Sequence, residues 1–484
     1  MGVKSNLPEV RAYRRNVFAG DEGRVKEQKD LGKLTARERL TALFDEASFV
    51  EMNALNEKSG VVTGFGTIDG RAVYAFAQDL TVALGAVGDA QAKKVAKIVD
   101  MAKSCGAPVI GIYDTAGAKL EEGALALDAY ARIGAALASA SGVVPTIAMV
   151  MGHCGGIAAA CAQMQDFVIM SKAGELFVNG AQVVGAKSLD EIAGADAAMK
   201  GGACHLKAES DEEALGLARK LVSLLPDNNM EVALNETADD VNRELYAYNE
   251  IEELADVRAL AIELLDADSA MELAADFAPE MVTVLGSIGG RTVGIIGTQP
   301  SVNDGRLTKD GCRKAARFAR FLDSFSIPMV TLAASAGMTT EEKNQGALAA
   351  AGAQLMFALA DASNARVSIV CGQAIGMGYA ALASRAAADV VYAWPGSMIS
   401  PLTAAANVAI LDGDKLDGAK DPMAKRAELE NELKAASAIA SANAGLVDDV
   451  IEPAATRQMI AAALNMLESK RVLKPAKKQG NLPL

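Results

Sequence analysis

Two short stretches of this chain end a β-branched run in glycines and pass straight into an alanine-rich run, MGHCGGIAA at 151–159 and CGQAIGMGYAA at 371–381. A strand that stops in glycine and turns into a helix exposes free backbone N–H groups at the positive end of the helix dipole. That is a preformed site for an oxyanion, such as an enolate or a ureido oxygen. Glycines there could equally serve only the close packing of helix on strand, and a single copy would favour that reading. Two copies in matched positions favour the anion site. Other chemistry is sparse. His153 lies beside the first turn and His205 in GGACHLKAES, and a lone histidine is more often a hydrogen-bonded packing residue than a catalyst. The sequence has no GxSxG elbow, HExxH, Walker loop or GxGxxG, and no metal centre is expected. An enzyme with this inventory works mainly through backbone donors.

The elements that would position these turns are duplicated. VVTGFGTIDGRAV at 61–73 returns as MVTVLGSIGGRTV at 281–293, with seven identities at an offset of 220. The offset holds through Lys94/Lys314, Pro108/Pro328, Gly117/Gly337, Glu122/Glu342, Gly152/Gly372 and Gly156/Gly376. Two copies of one fold, with a paired site for two related ligands, follow from that register. Within each copy, β-branched runs such as PVIGIYD and PTIAMVMG alternate with alanine-rich helical runs, which predicts an α/β fold of parallel β-α units. The expected domains are 1–245, with a charged helical arm to about residue 47, and 246–484. The acidic segment 231–256 reads as a linker or a bridging surface helix. AKRAELENELKAASAIASA, from about 425, reads as a helix, and the tail KPAKKQGNLPL as irregular.

Composition narrows the function classes. The 484 residues suit two domains, and 51% hydrophobic but only 4% aromatic residues, with 44 glycines, imply cores packed from small side chains. A net charge of −14 disfavours nucleic acid or an anionic membrane as a partner. The start lacks a secretory signal, so the cytoplasm is the expected location. The six cysteines form no C-x-x-C pair and read as reduced, mostly buried thiols. The apolar stretch 133–164 is broken by Pro145, His153 and glycines, and reads as buried helix, strand and helix rather than a membrane span.

GKLTARERLTALFDEASFVE at 32–51 resembles the opening motif of biotin-dependent acyl-CoA carboxyltransferases. The likeness continues through VVTGFGTIDGRAVYAFAQD, GAPVIGIYDTAGAKLEEG, GRTVGIIGTQP, YAWP, GLVDDVIEP and QGNLPL, nearly the whole chain. Within that family the chain resembles the propionyl-CoA carboxylase β chain, transcarboxylase, and the α subunits of methylmalonyl-CoA and glutaconyl-CoA decarboxylases. The resemblance implies two tandem crotonase-like (ClpP/crotonase) domains arising from an internal duplication. It also implies an acyl-CoA thioester on the N-domain of one subunit and biotin on the C-domain of its neighbour. The biotin comes on a separate biotin carboxyl carrier protein, with a biotin carboxylase or a membrane decarboxylase subunit as a further partner. A hexamer built as a trimer of dimers is implied too. Carried onto this chain, the N–H groups of Gly156 and Ile157 face the thioester oxygen and those of Met377 and Gly378 the biotin ureido oxygen. Ala116, Gly117, Ala118, Lys119, Gly155 and Gly376 complete the cofactor-binding turns.

The chain departs from the family pattern at these sites. Ile157 and Met377 stand where glycine is usual, AASAGM replaces Asp-x-Pro-Gly-Phe around Ala334–Met338, and Lys119 replaces an arginine. After YAWP, Pro401, Leu402 and Thr403 replace Val-Met-Gly, and Ala380 replaces an aspartate. Candidate phosphate ligands are Lys93, Lys94, Lys97 and Lys119, with Arg313, Arg317 and Arg320 along one helix face, where a solvated face is the commoner meaning. AMK at 198–200 resembles a biotinylation sequence but is followed by glycine. The alternative readings are a catalytically weakened scaffold or regulatory paralogue in a hetero-oligomeric complex, motivated by Ile157 and Met377, and a biotin-free hydratase.

Overall fold

Runs of Val, Ile and Ala without polar alternation belong to strands covered on both faces, and PVIGIYD and PTIAMVMG become central parallel strands. The computed structural model describes residues 2–55, 60–237, 239–475, 480, 481 and 483. The tail expected to be irregular lies partly outside these. The chain divides into two compact units, Met1–Ala233 and Leu234–Leu484.

The first unit opens with helices Val3–Ala19, Glu22–Asp30 and Ala36–Leu43, the expected arm. Its strands are β1 (Val50–Met52), β2 (Val61–Ile68), β3 (Arg71–Gln78), β4 (Val109–Tyr113), β5 (Thr146–Val150), β6 (His153–Gly155), β7 (Phe167–Ser171), β8 (Glu175–Phe177) and β9 (Leu206–Ala208). Seven form a sheet in the order β1-β2-β3-β4-β5-β7-β9, and β6 pairs with β8 as a separate two-stranded ladder. The β1/β2 and β2/β3 pairs are antiparallel and the rest of the sheet is parallel.

The second unit holds β10 (Met271–Glu272), β11 (Met281–Ile288), β12 (Arg291–Thr298), β13 (Met329–Ser335), β14 (Arg366–Ile375), β15 (Val390–Ala393), β16 (Met398–Ser400) and β17 (Asp449–Val450). Their order, β10-β11-β12-β13-β14-β15-β17, repeats the first sheet, and β16 pairs with the end of β14 as β8 pairs with β6. The α/β duplication is present strand for strand, with one strand, β14, doing the work of β5 and β6 together.

The division falls at 233/234 rather than at the expected 245/246. Leu234 bridges Arg291, the Asn235 N–H donates to Gly290 O at 2.6 Å, and the Leu245 N–H donates to Ala454 O at 2.9 Å, so these three residues are already stitched to the second unit. Among the described residues of 231–256 the only helical turn is Tyr246–Asn249, so the expected bridging helix is absent there. The helix expected from about 425 runs from Pro422 to Asn443.

Each unit ties its hairpin to its last helix through the same ion pair. Asp45 accepts from the Gly70 N–H and from Arg219 at 2.9 Å each. Asp266 accepts from the Gly290 N–H at 2.8 Å and from Arg457 at 2.6 Å. Burial alone would raise Asp266, but the Gly290 amide, Arg457, the Gly289 amide and Ser287 together hold its carboxyl below the usual carboxylate range. A carboxyl depressed on folding adds stability above its unfolded pKa of about 4 and loses it as the pH falls below that. Arg457→Met strands a buried carboxylate and should cost about 3–5 kcal/mol by urea unfolding at pH 7. Asp266→Asn should flatten the loss of stability between about pH 4 and pH 2.

Candidate functional site

In the first unit the chain leaves β6 at Gly155, turns at Gly156 and enters the helix Ile157–Gln163. Gly156 has φ 61° and ψ −126°, a region that residues with a Cβ avoid. Its N–H donates to Phe177 O at 2.9 Å, extending the β6/β8 ladder by one rung. Gly156 was expected as an oxyanion donor, and its amide is instead committed to the backbone. The free donors begin one residue later, at Ile157 and Ala158, in the first helical turn where amides have no intrahelical acceptor. Ile157 is 42% exposed at the turn.

The loop after β4 completes the cleft. Ala116 N–H donates to Leu84 O, Val87 N–H to Gly117 O and Lys119 N–H to Val87 O, each at 2.9 Å. Because Gly117 O and Lys119 N both face Val87, the intervening Ala118 N–H points the other way. Thr115, Ala116, Gly117 and Ala118 line one hollow together with Gly155, Gly156 and Ile157. Lys119 does not line it. Its ammonium pairs with Glu122 at 3.0 Å, and Glu122 also accepts from the Asp89 N–H at 2.8 Å. The Asp89 amide and Lys119 hold the Glu122 carboxyl below its usual range.

The second unit repeats this geometry. Gly376 has φ 53° and ψ −114°, and its N–H donates to Ser400 O at 2.9 Å. Gly337 sits at φ 100° against 101° for Gly117. Leu307 N–H donates to Gly337 O at 2.8 Å and Thr339 N–H to Leu307 O at 3.0 Å, which leaves the Met338 amide in the place of Ala118. Met377 and Gly378 open the helix Met377–Leu382 with their amides beyond any intrahelical acceptor. Neither Ile157 nor Met377 has positive φ, so the glycine-only angle falls on the preceding residue, which is glycine in both units. A Cβ on Gly352 would lie 3.3 Å from Met377 Cε and 3.5 Å from Met338 Cε, so both methionines reach the helix Gln345–Asp361.

A buried ionic cluster, which sequence reasoning missed, braces the first turn. Arg39, fully buried, donates to Asp114 at 2.9 Å, to Asp211 at 2.8 Å and to Met151 O at 2.8 Å, and Lys33 pairs with Asp114 at 2.8 Å. One guanidinium thus clamps the ends of β4 and β5 immediately before the Thr115 loop and the Gly152 turn. Its members are 75 and 172 residues apart, and only the presence of Arg39 inside TARERL and Asp114 inside YDTAG hinted at them. At the same offset the second unit has Ala334 in place of Asp114.

The other candidates separate cleanly. Lys94 and Lys314 are buried and donate to backbone carbonyls, Val61 O at 2.6 Å and Ala274 O at 2.8 Å; burial lowers both to about 8. They are packing devices rather than phosphate ligands. Arg313, Arg317 and Arg320 lie on an exposed helix face. His205 accepts from the Val168 N–H at 3.0 Å and meets the Phe167 ring edge-on, which makes it a packing residue. His153 lines the first cleft.

A family model described as a carboxyl transferase domain matches residues 27–482. The chain is 36% identical to the propionyl-CoA carboxylase carboxyltransferase subunit of Haloferax mediterranei over the full length of both. It is 37% identical to the methylmalonyl-CoA decarboxylase α subunit of Propionigenium modestum, covering 96% of each chain. A crystal structure of transcarboxylase 12S, described as a hexamer with methylmalonyl-CoA and methylmalonic acid bound, superposes with a TM-score of 0.94 at 36% identity. The match covers 100% of this chain and 99% of that one.

The turn glycines make distinct predictions. A Cβ on Gly156 would meet nothing within 4 Å, so Gly156→Ala carries backbone strain alone and should lower stability by about 1–3 kcal/mol. A Cβ on Gly152 would fall 1.9 Å from Asp114 Oδ1, inside the buried cluster, so Gly152→Ala should cost more. Urea midpoints of the two variants rank them directly.

Proposed function

The chain belongs to the carboxyl transferase family, and from that premise we propose that it moves a carboxyl group between an acyl-CoA and biotin carried on a separate protein. The observation that carries this reading is the pair of matched strand–glycine–helix turns, one in each unit, with backbone angles within 12° of each other. Two oxyanions arise in such a transfer, one on the thioester and one on the ureido group, and two equivalent sets of backbone donors suit them.

On this reading the first turn takes the acyl-CoA. The Ile157 amide, with Ala118 from the facing loop, donates to the thioester oxygen as the α-carbon becomes an enolate. Gly156 supplies the turn rather than a donor. The Met377 and Gly378 amides serve the ureido oxygen at the second turn. Biotin, when bound, supplies the ureido nitrogen that carries the carboxyl group. Preorganised amides lower the barrier because they need no reorientation as charge develops, and each is worth about 3–4 kcal/mol. The substrate class that fits is a short acyl-CoA and its α-carboxy derivative, of the propionyl-CoA and methylmalonyl-CoA kind that similar proteins are named for. Ile157 and Met377 narrow the two turns where glycine is usual in the family pattern.

The assembly we infer is a homo-hexamer, as described for the similar transcarboxylase, with a biotin carrier as the transient partner. The described residues contain no helix long and apolar enough to cross a membrane, and a cytoplasmic location fits a diffusing carrier. The weakened-paralogue reading rests on Ile157 and Met377. The helical backbone at both positions weighs against it, since each residue still presents its N–H.

Proline at the first position of a helix keeps the fold and removes one N–H. Ile157→Pro should therefore lower carboxyl exchange between methylmalonyl-CoA and free biotin by about 10²–10³-fold with little change in stability. Met377→Pro should lower it similarly while leaving acyl-CoA affinity unchanged. Full activity in both variants would sink the two-turn reading.

A further inference from the structure

We propose that His153, held by Glu175, is the residue that takes and returns the proton at the α-carbon of the acyl-CoA. This rests on the reading of the first cleft as the acyl-CoA site. Side chains of β6 alternate, so His153 and Gly155 share one face while Cys154 points into the core, fully buried. The His153 side chain is 53% exposed and lines the same hollow as Gly156 and Ile157. Its Nδ1 is hydrogen-bonded to Glu175 Oε2, its register partner across the β6/β8 ladder. Glu175 is itself fixed, with its N–H donating to Gly152 O at 2.9 Å. A carboxylate on Nδ1 sets the tautomer that leaves Nε2 as the acceptor.

The duplication supports the assignment. At the offset of 220, His153 corresponds to Gln373, which cannot take a proton. Only one of the two ligands has a carbon-bound proton to remove, and only one unit carries an imidazole at this place.

The step balances within the established chemistry. His153 Nε2 accepts the α-proton, the C–H electron pair becomes the enolate C=C, and the thioester oxygen takes the charge under the Ile157 and Ala118 amides. The enolate then forms its bond to the carboxyl carbon as the bond from that carbon to nitrogen breaks. The imidazolium returns its proton to that nitrogen. In the reverse direction His153 protonates the α-carbon.

The test is deuterium exchange at the α-carbon of propionyl-CoA in D₂O without biotin, beside carboxyl transfer from methylmalonyl-CoA to free biotin on the same preparation. The wild-type chain should exchange. His153→Gln should exchange at least about 10²-fold more slowly, and added imidazole should restore exchange to His153→Ala. Glu175→Gln should lower the exchange rate constant with KM for propionyl-CoA unchanged, a split that a folding defect would not produce. Carboxyl transfer without exchange in the wild type, or exchange at the wild-type rate in His153→Gln, overturns the proposal and leaves the acyl-CoA reading standing. Absence of both exchange and transfer in a folded wild type overturns the two together.

Discussion

A chain that gives one amide to a neighbouring strand and must begin a helix at the next residue has to reverse its backbone within a single residue. Gly156 and Gly376 do this with φ near +60° and ψ near −120°, angles that a Cβ makes costly. The rest of each unit is arranged around that reversal. The short β6/β8 ladder, and the end of β14 with β16, consume the glycine amide. The following amides are thereby left at a helix terminus with no acceptor in their own helix. The facing loop contributes one further amide, because its neighbours on both sides are tied to Val87 or Leu307. A backbone-donor site of this kind needs no basic side chain, so it is compatible with an acidic protein.

Duplication explains what is shared and makes the differences informative. The tandem crotonase-like domains repeat strand order, hairpin ion pair, buried lysine and turn glycine. They differ around the two turns. The first unit adds the Arg39, Asp114 and Asp211 cluster and the His153–Glu175 pair beside its turn. The second has Ala334 and Gln373 at those places and lays Met338 and Met377 against Gly352. A buried guanidinium with two carboxylates is retained only if all its partners stay in place, so the brace holds the first turn rigidly. The second turn is walled by flexible methionines, which adapt to a ligand's shape more readily than branched side chains.

Much of this is legible in the sequence. The constant offset of 220 announced two copies of one fold, and the glycine positions within it located both turns, while Ala116, Gly117 and Ala118 were named only through the family resemblance. What escaped was pairing over distance. That the Gly156 amide belongs to Phe177 depends on a three-residue strand with no recognisable pattern, and its counterpart Ser400 stands three residues off the repeat. Lys94 reads as a surface cation in sequence because burial of its ammonium depends on the Val61 carbonyl. The unit boundary was placed late because Asn235 and Leu245 join the second unit through backbone bonds, which leave no trace in residue type. His153 was noticed but could not be distinguished from His205, since the difference lies in which of them meets a carboxylate and a hollow.

The central claim is that backbone amides at the glycine turn hold the thioester oxygen. The most direct measurement is a crystal structure of the chain with a non-hydrolysable methylmalonyl-CoA analogue. The account predicts the carbonyl oxygen that replaces the thioester oxygen about 3 Å from the Ile157 and Ala118 nitrogens, with Gly156 still bonded to Phe177. An analogue bound with that oxygen facing a side chain, or seated away from the Gly156 turn, would contradict it.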